Sequence, residues 1–398
     1  MTNGKLRIAI IGAGIGGLAA AAALHRFAEV DVTVYEQARR LGEVGAGIGL
    51  APNGQRGLAH LGLREAIEAA SAEFEGTGSY YRSDGTFIDN YASDDSAGEF
   101  RVRGIHRADL IDVLAGAIPA DIVHTGHRLV GLSQDADGVE LRFENGEVAT
   151  FDAVIGADGI HSVVRESVTE PSEAVYSGSI AYRGVVDASQ LPEGWSRNLK
   201  LWLGDGKHFM CYPVRRHELY NYVGFVKSDR PLAESWSAVG DVEDLRAEFA
   251  GWHPDLQAFL GAIDEVFWWG IRDREPLTTW TNGRLALMGD AAHAMQPHMS
   301  QGLNQAIEDG LALAAFLKDI GTADVPAALE GYAAFRMDRA NTVQAASRRN
   351  GDRYDSQGEY EDLDKRDEEV RTTAELRRWV YDHDALVEAT AAAAAARV

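Results

Sequence analysis

The 398-residue chain has a single cysteine, Cys211. One thiol excludes an intrachain disulfide and any cysteine-cluster metal site. Positive charge is scarce: 38 Lys+Arg stand against 61 Asp+Glu, a formal net charge of −23. That balance argues against nucleic acid or an anionic membrane as a partner, because the long-range field repels both. Small anionic ligands remain possible where local arginines and helix N-termini oppose the field. No apolar run reaches the roughly 18–20 residues needed to span a bilayer. The longest uncharged stretch, Ile8 to Leu24, follows Lys5 and Arg7 and imitates a signal peptide. It contains Gly12, Gly14, Gly16 and Gly17, which suit neither a membrane helix nor a signal core, and no cleavage region follows. The expectation is a cytoplasmic protein. Several catalytic signatures are also missing. There is no Gly-x-Ser-x-Gly elbow and no phosphate-binding Gly-x4-Gly-Lys-Ser/Thr loop, and none of the 12 histidines has His-Glu-x-x-His spacing. His293 and His298 lie five apart across Pro297, a poor chelating pair. No metal site is expected.

What is present reads as a folded protein of about two domains, at ~100–200 residues per domain. Hydrophobic residues make up 45% and charged residues 25%, so a full core is attainable. Arg7 to Ile11 is a short buried strand ending in glycine, Gly14 to Arg26 is an alanine-rich helix, and Asp31 to Tyr35 is a second strand closed by Glu36. Residues 75–105 and 176–228 carry aromatic and β-branched runs broken by Gly, Asp and Ser, the pattern of a separate, largely antiparallel sheet. Val139 to Phe143 alternates, and Asn145-Gly146 then reads as a hairpin turn. Phe151 to Ile155 and Arg284 to Met288 are further buried strands of the first sheet, which is therefore discontinuous in sequence. After Gly302 the chain is helical. The acid-rich residues 352–369 read as a solvated face, and Ala391 to Ala396 as a fraying helix end. The fold class expected is α/β: a Rossmann-like nucleotide domain interleaved with a β-sheet domain, plus C-terminal helices. The division expected is 1–75, 101–175 and 276–325 for the first, 76–100 and 176–275 for the second, and 326–398 for the helical segment.

The Gly12-x-Gly14-x-x-Gly17 fingerprint follows a strand, opens a helix and precedes a strand that ends in an acid. Its glycines allow a tight turn and let a pyrophosphate approach backbone N–H groups at a helix N-terminus. Glu36 lies 19 residues past Gly17, where a ribose-binding carboxylate belongs, and a carboxylate favours the unphosphorylated ribose of FAD or NAD. Three further motifs separate those two: Gly156-Ala-Asp158-Gly159 through Arg165, Gly289-Asp290 through Pro297, and Leu41 through Asn53. Together the four resemble the single-component, FAD-dependent aromatic hydroxylases, the class A flavoprotein monooxygenases, with the salicylate, 3-hydroxybenzoate and 6-hydroxynicotinate hydroxylases nearest. The resemblance spans roughly residues 5–320.

That resemblance implies bound FAD, a transient NADH or NADPH, and O2 with a small aromatic as substrates. It implies oxygen transfer from a flavin C4a-hydroperoxide to an electron-rich phenolic or aminophenolic ring of benzoate type. Gly12, Gly14, Gly17 and Glu36 would hold the nucleotide. Asp290 would accept the ribityl hydroxyls. Asp158 and Arg165 match a second pyrophosphate-associated motif, and Arg107 a position that reaches back to FAD. Pro297 to Asn304 matches the loop before the long C-terminal helix, where Gly302 would let the isoalloxazine ring approach. His208-Phe-Met-Cys-Tyr212 matches the strand lining the substrate pocket. On a strand, 208, 210 and 212 share a face, and His208 and Tyr212 lie about 13 Å apart at Cα. His208 is the expected base, with Tyr212 and Gln301 beside it at the substrate hydroxyl. Arg183 and Pro297 are expected at the substrate, and Cys211 on the opposite, core face. The hydroxynicotinate enzymes carry a His just before Gly-Ala-Gly-Ile. Here Val44 precedes Gly45, which counts against hydroxynicotinate. Two other readings stay open on sequence: a flavin dehydrogenase that inserts no oxygen, and a non-catalytic protein of the same fold. The sequence does not decide substrate, ring position, donor or oligomeric state.

Overall fold

The computed structural model describes residues 5–42, 46–229 and 238–397. Its first layer is a six-stranded sheet in the order 281–282, 285–287, 153–156, 7–11, 31–36, 123–125. All neighbours are parallel except the 281–282/285–287 edge pair. The strand Arg7–Ile11 is central: Ile8 faces Val32 on one side and Ala153 on the other, and Ile10 faces Val34 and Ile155. Strands flanked on both sides and covered on both faces are uniformly apolar. Chain order reverses at this strand, and ligands of such sheets bind beyond the strand ends at that reversal. The stretch that imitates a signal peptide is this strand, its turn and the helix Ile15–Phe27. That helix packs on the helix Gly302–Phe316 closely enough that a Cβ on Gly310 would stand 2.8 Å from the Ala20 Cα.

The second layer is an eight-stranded sheet, ordered 238–239, 267–273, 175–187, 219–227, 207–214, 200–204, 78–82, 87–91. It is antiparallel except where 200–204 runs parallel to 78–82. One face packs Trp202, Phe209, Cys211 and Tyr222 on the helices Val242–Glu248 and Pro254–Gly261. The other turns Met210, Tyr212, Val223 and Phe225 toward the first sheet. Burial in that aromatic core pushes the Cys211 thiol up to about 12, so it stays protonated. The hairpin at Asn145-Gly146 forms as expected: Gly146 takes φ +88°, and the Asn145 side chain accepts from the Glu147 N–H.

One expectation about the C-terminal part is corrected and one is narrowed. Residues 352–369 are not simply a solvated face, because Tyr354, Asp355, Ser356, Tyr360, Arg366 and Asp367 are buried. The segment covers the sheet edge at 78–82 and 87–91, where Arg82 donates to Asp364 and Asp367. Like charges spaced along a chain look solvated until a distant arginine is brought to them. Ala391 to Ala396 does end a helix, with Ala394 to Ala396 exposed, but that helix is anchored along one side. Ala385, Ala389 and Ala393 form a buried stripe of the helix Ala385–Ala395, which lies on the helix Gly302–Phe316. No helix among the described residues is long and apolar enough to cross a membrane.

Candidate active site

A cavity of about 830 Å³ runs from the glycine turn, across the strand reversal, to the second sheet. At its nucleotide end the backbone does the shaping. Gly12 sits at φ +105°, a conformation that side chains resist, and a Cβ there would strike the Ala157 carbonyl oxygen. A Cβ on Gly17 would strike the Gly12 carbonyl oxygen. Gly14 differs, since a Cβ there would meet nothing within 4 Å. Gly12 and Gly17 therefore make the turn, and Gly14 keeps space clear inside it. The Glu36 carboxylate is fixed by the N–H groups of Ala13 (2.9 Å) and Ala38 (2.7 Å), and both Gly14 and Glu36 line the cavity.

Asp158, Arg107, Asp290 and Gly302 also line it. Arg107 opens the helix Arg107–Ala115 and Gly302 the helix Gly302–Phe316. Asp290 is exposed to the cavity beside Gly302. Asp158 is divided: Oδ2 accepts from the N–H groups of Val163 and Val164, while Oδ1 is buried without a partner among the described residues, and burial raises the pKa of the carboxyl. Arg165 does not line the cavity. Its guanidinium donates to the carbonyls of Ile160 and Ala291, tying together the loops that carry Asp158 and Asp290. Burial and the nearby Arg274 lower its pKa to about 10.

At the other end side chains form the wall. Arg183, Met210, Tyr212, Val223, Phe225, Trp269 and Pro297 all face the cavity. The Arg183 guanidinium lies 4.5 Å from the Trp269 ring centre. Burial pushes the Tyr212 hydroxyl well above its ordinary range, so it is a neutral phenol. Ser300, in the loop before the Gly302 helix, sits at φ +52°, an unusual conformation for a residue with a side chain. Asn304 pins this loop by donating to the carbonyls of Ser300 and Gly49 and accepting from the Ala51 N–H.

His208 departs from expectation. It shares a face with Met210 and Tyr212 but does not line the cavity, and it is only 1% exposed. Phe225 stacks on it at 4.3 Å and His298 abuts it at 5.1 Å, so it stands one layer behind the wall. Its Nδ1 meets the Asp355 carboxylate at 2.6 Å. Asp355 went unnoticed in the sequence because it lies in the acid-rich stretch, 147 residues away. The buried group around Glu308 was also missed. Two adjacent acids between Ile307 and Leu311, on a helix with no other charged residue, were the available signal. Val44 and Gly45 lie outside the described residues.

The sequence matches the FAD binding domain family over residues 5–347. It is 35% identical to a 3-amino-4-hydroxybenzoate 2-monooxygenase of Streptomyces platensis, covering 97% of this chain and 98% of that one. It is 36% identical to a 6-hydroxynicotinate 3-monooxygenase of Bordetella bronchiseptica, covering 87% and 92%. A solved salicylate hydroxylase substrate complex superposes with a TM-score of 0.85 at 29% identity over 98% of both chains. The residues present suit FAD. Gly14 leaves room where a pyrophosphate would pass the helix N-terminus, and the Glu36 oxygens have acceptor capacity left for ribose hydroxyls. The Nε2 of Gln301, a residue of the cavity wall, is buried without a partner among the described residues. The chain belongs to the FAD binding domain family, among its flavin-dependent aromatic monooxygenases.

Proposed function

We propose that the protein hydroxylates a phenolic or aminophenolic ring bearing a carboxylate, using NADH or NADPH and O2. The observation that carries the reading is one continuous cavity that joins a dinucleotide turn to an aromatic-lined sheet wall. Gly12, Gly14, Gly17, Glu36, Arg107, Asp158, Asp290 and Gly302 would hold FAD, with Arg165 bracing their loops. Bound FAD supplies the chemistry that activates O2, using electrons from the nicotinamide. The chain orients the ring, keeps water out and moves a proton. Met210, Val223 and Phe225 keep the wall apolar, which strengthens each polar contact made there. Arg183 offers permanent positive charge to the substrate carboxylate. Tyr212, a neutral phenol, hydrogen-bonds the ring oxygen, with Gln301 and Pro297 close by.

Removing the phenolic proton raises electron density on the ring. His208 receives that proton at the end of a short path rather than by direct contact. Asp355 holds Nδ1, which leaves Nε2 as the accepting side. The protein should purify yellow, and a matching phenolic acid should raise NADH consumption several-fold. The product formed under 18O2 should carry the label, and a product without it would replace this reading with dehydrogenation. His208→Ala should keep FAD and lose hydroxylation. Normal turnover in that variant would remove His208 from the proton path.

A further inference from the structure

Behind Gln301 lies a fully buried polar group whose directions are fixed by charge. Arg336 and Arg339 both donate to the Glu308 carboxylate, and Arg336 also holds Asp309. Burial alone would raise the Glu308 pKa, but the two guanidinium groups overcome it and hold the carboxyl far below its usual range. Glu308 is therefore acceptor-only. Asn53 meets Glu308 Oε1 at 2.6 Å, so the amide must present nitrogen there; the flipped amide would set two acceptor oxygens against each other. The same nitrogen donates to Gln301 Oε1 at 3.0 Å. Gln305 is fixed likewise. Its oxygen takes Arg336 at 2.8 Å, so its nitrogen faces Glu308 and Gln301 Oε1, at 3.2 Å each. Two donors of fixed sense thus claim the Gln301 oxygen. Among the described residues the Gln301 nitrogen is left as a donor with no acceptor, at the cap of the helix beside Gly302, a residue of the cavity wall.

We propose that Asn53 and Glu308 are positioning residues that hold Gln301 as an obligate donor to an anionic or carbonyl oxygen of the bound ligand. This rests on the hydroxylase reading for one of two sources of that oxygen, the substrate phenolate. The other source is a carbonyl of the isoalloxazine ring. A donor aimed at a phenolate favours the ionised phenol, which is the electron-rich form the reaction needs. A donor aimed at the flavin favours its reduced, negatively charged form.

The test uses FAD-loaded wild type, Gln301→Met, Gln301→Glu and Asn53→Ala. A nitro-substituted hydroxybenzoate serves as a probe whose absorbance reports its own ionisation. If the acceptor is the phenolate, the bound probe ionises about one pH unit lower in wild type than in Gln301→Met, a tenfold change in its ionisation constant. Asn53→Ala loses part of that shift, and Gln301→Glu, which replaces the donor by an acceptor of the same shape, loses it or reverses it. If the acceptor is the flavin, the midpoint potential without probe falls in the same variants and probe ionisation is unmoved. A Gln301→Met protein that changes neither quantity overturns the proposal, as does an Asn53→Ala protein identical to wild type in both. Failure of the hydroxylase reading is distinct: the yellow protein binds no phenolic acid, and the potential still reports on Gln301.

Discussion

The two ends of the cavity are built by opposite means. The turn at the nucleotide end is shaped by backbone, at Gly12 and Gly17, with the Glu36 carboxylate held by backbone N–H groups, all within 25 residues of chain. The ring end is made of side chains from Arg183 to Gln301, braced by Asn53, Arg336 and Asp355. A backbone-built site depends on where a Cβ is forbidden. A side-chain-built site depends on buried charge being matched across the whole chain.

The largest effect should come from Arg336→Met, which leaves Glu308 and Asp309 buried without their shared counter-charge. Loss of about 3–5 kcal/mol is expected by urea denaturation. A loss under about 1 kcal/mol would mean the group is not the brace described. Gly17→Ala, at the other end, should cost about 1–3 kcal/mol from forced overlap with the Gly12 carbonyl and leave a colourless protein. Asp355→Asn should cost less, about 1–2 kcal/mol for a weakened charged hydrogen bond. It should also displace the pH profile of hydroxylation, and an unmoved profile would detach Asp355 from the proton path. Gly14→Ala should change stability by under about 0.5 kcal/mol while weakening FAD binding at least about tenfold. If FAD binds as before, the cleared space is not where the pyrophosphate passes.

Acid sharpens the same contrast. The Glu308 carboxyl titrates far lower folded than unfolded, so its stabilisation is complete above its ordinary range, near 4.5, and is lost as pH falls below it. The stability gap between wild type and Glu308→Gln should be constant above about pH 5 and narrow below about pH 4.

Legibility followed the same division. The strand, turn, helix and Glu36 could be read directly, because the pattern that marks them lies within one short stretch of chain, even though Ala157 and the strand Ala153–Gly156 complete their packing. The family resemblance named the residues of the ring end but not their depth. His208 and Tyr212 share a strand face as alternation requires. Only the packing of Phe225 and His298 decides that one lines the cavity and the other stands behind it. Arg165 was legible as a motif residue, yet its partners are backbone carbonyls, which no sequence pattern marks. Asp355 carried no local signal at all.

The discontinuous first sheet has a consequence for synthesis. The strand Arg7–Ile11 needs Ala153–Gly156 beside it, and that strand in turn needs Leu285–Leu287. At about 5–20 residues per second, tens of seconds separate the first strand from the last. Through that interval an apolar strand emerges early and stays without its full set of neighbours, a template for mispairing. Slowing translation after residue 287 should therefore matter little to the yield of native protein, whereas a pause between residues 36 and 153 should lower it.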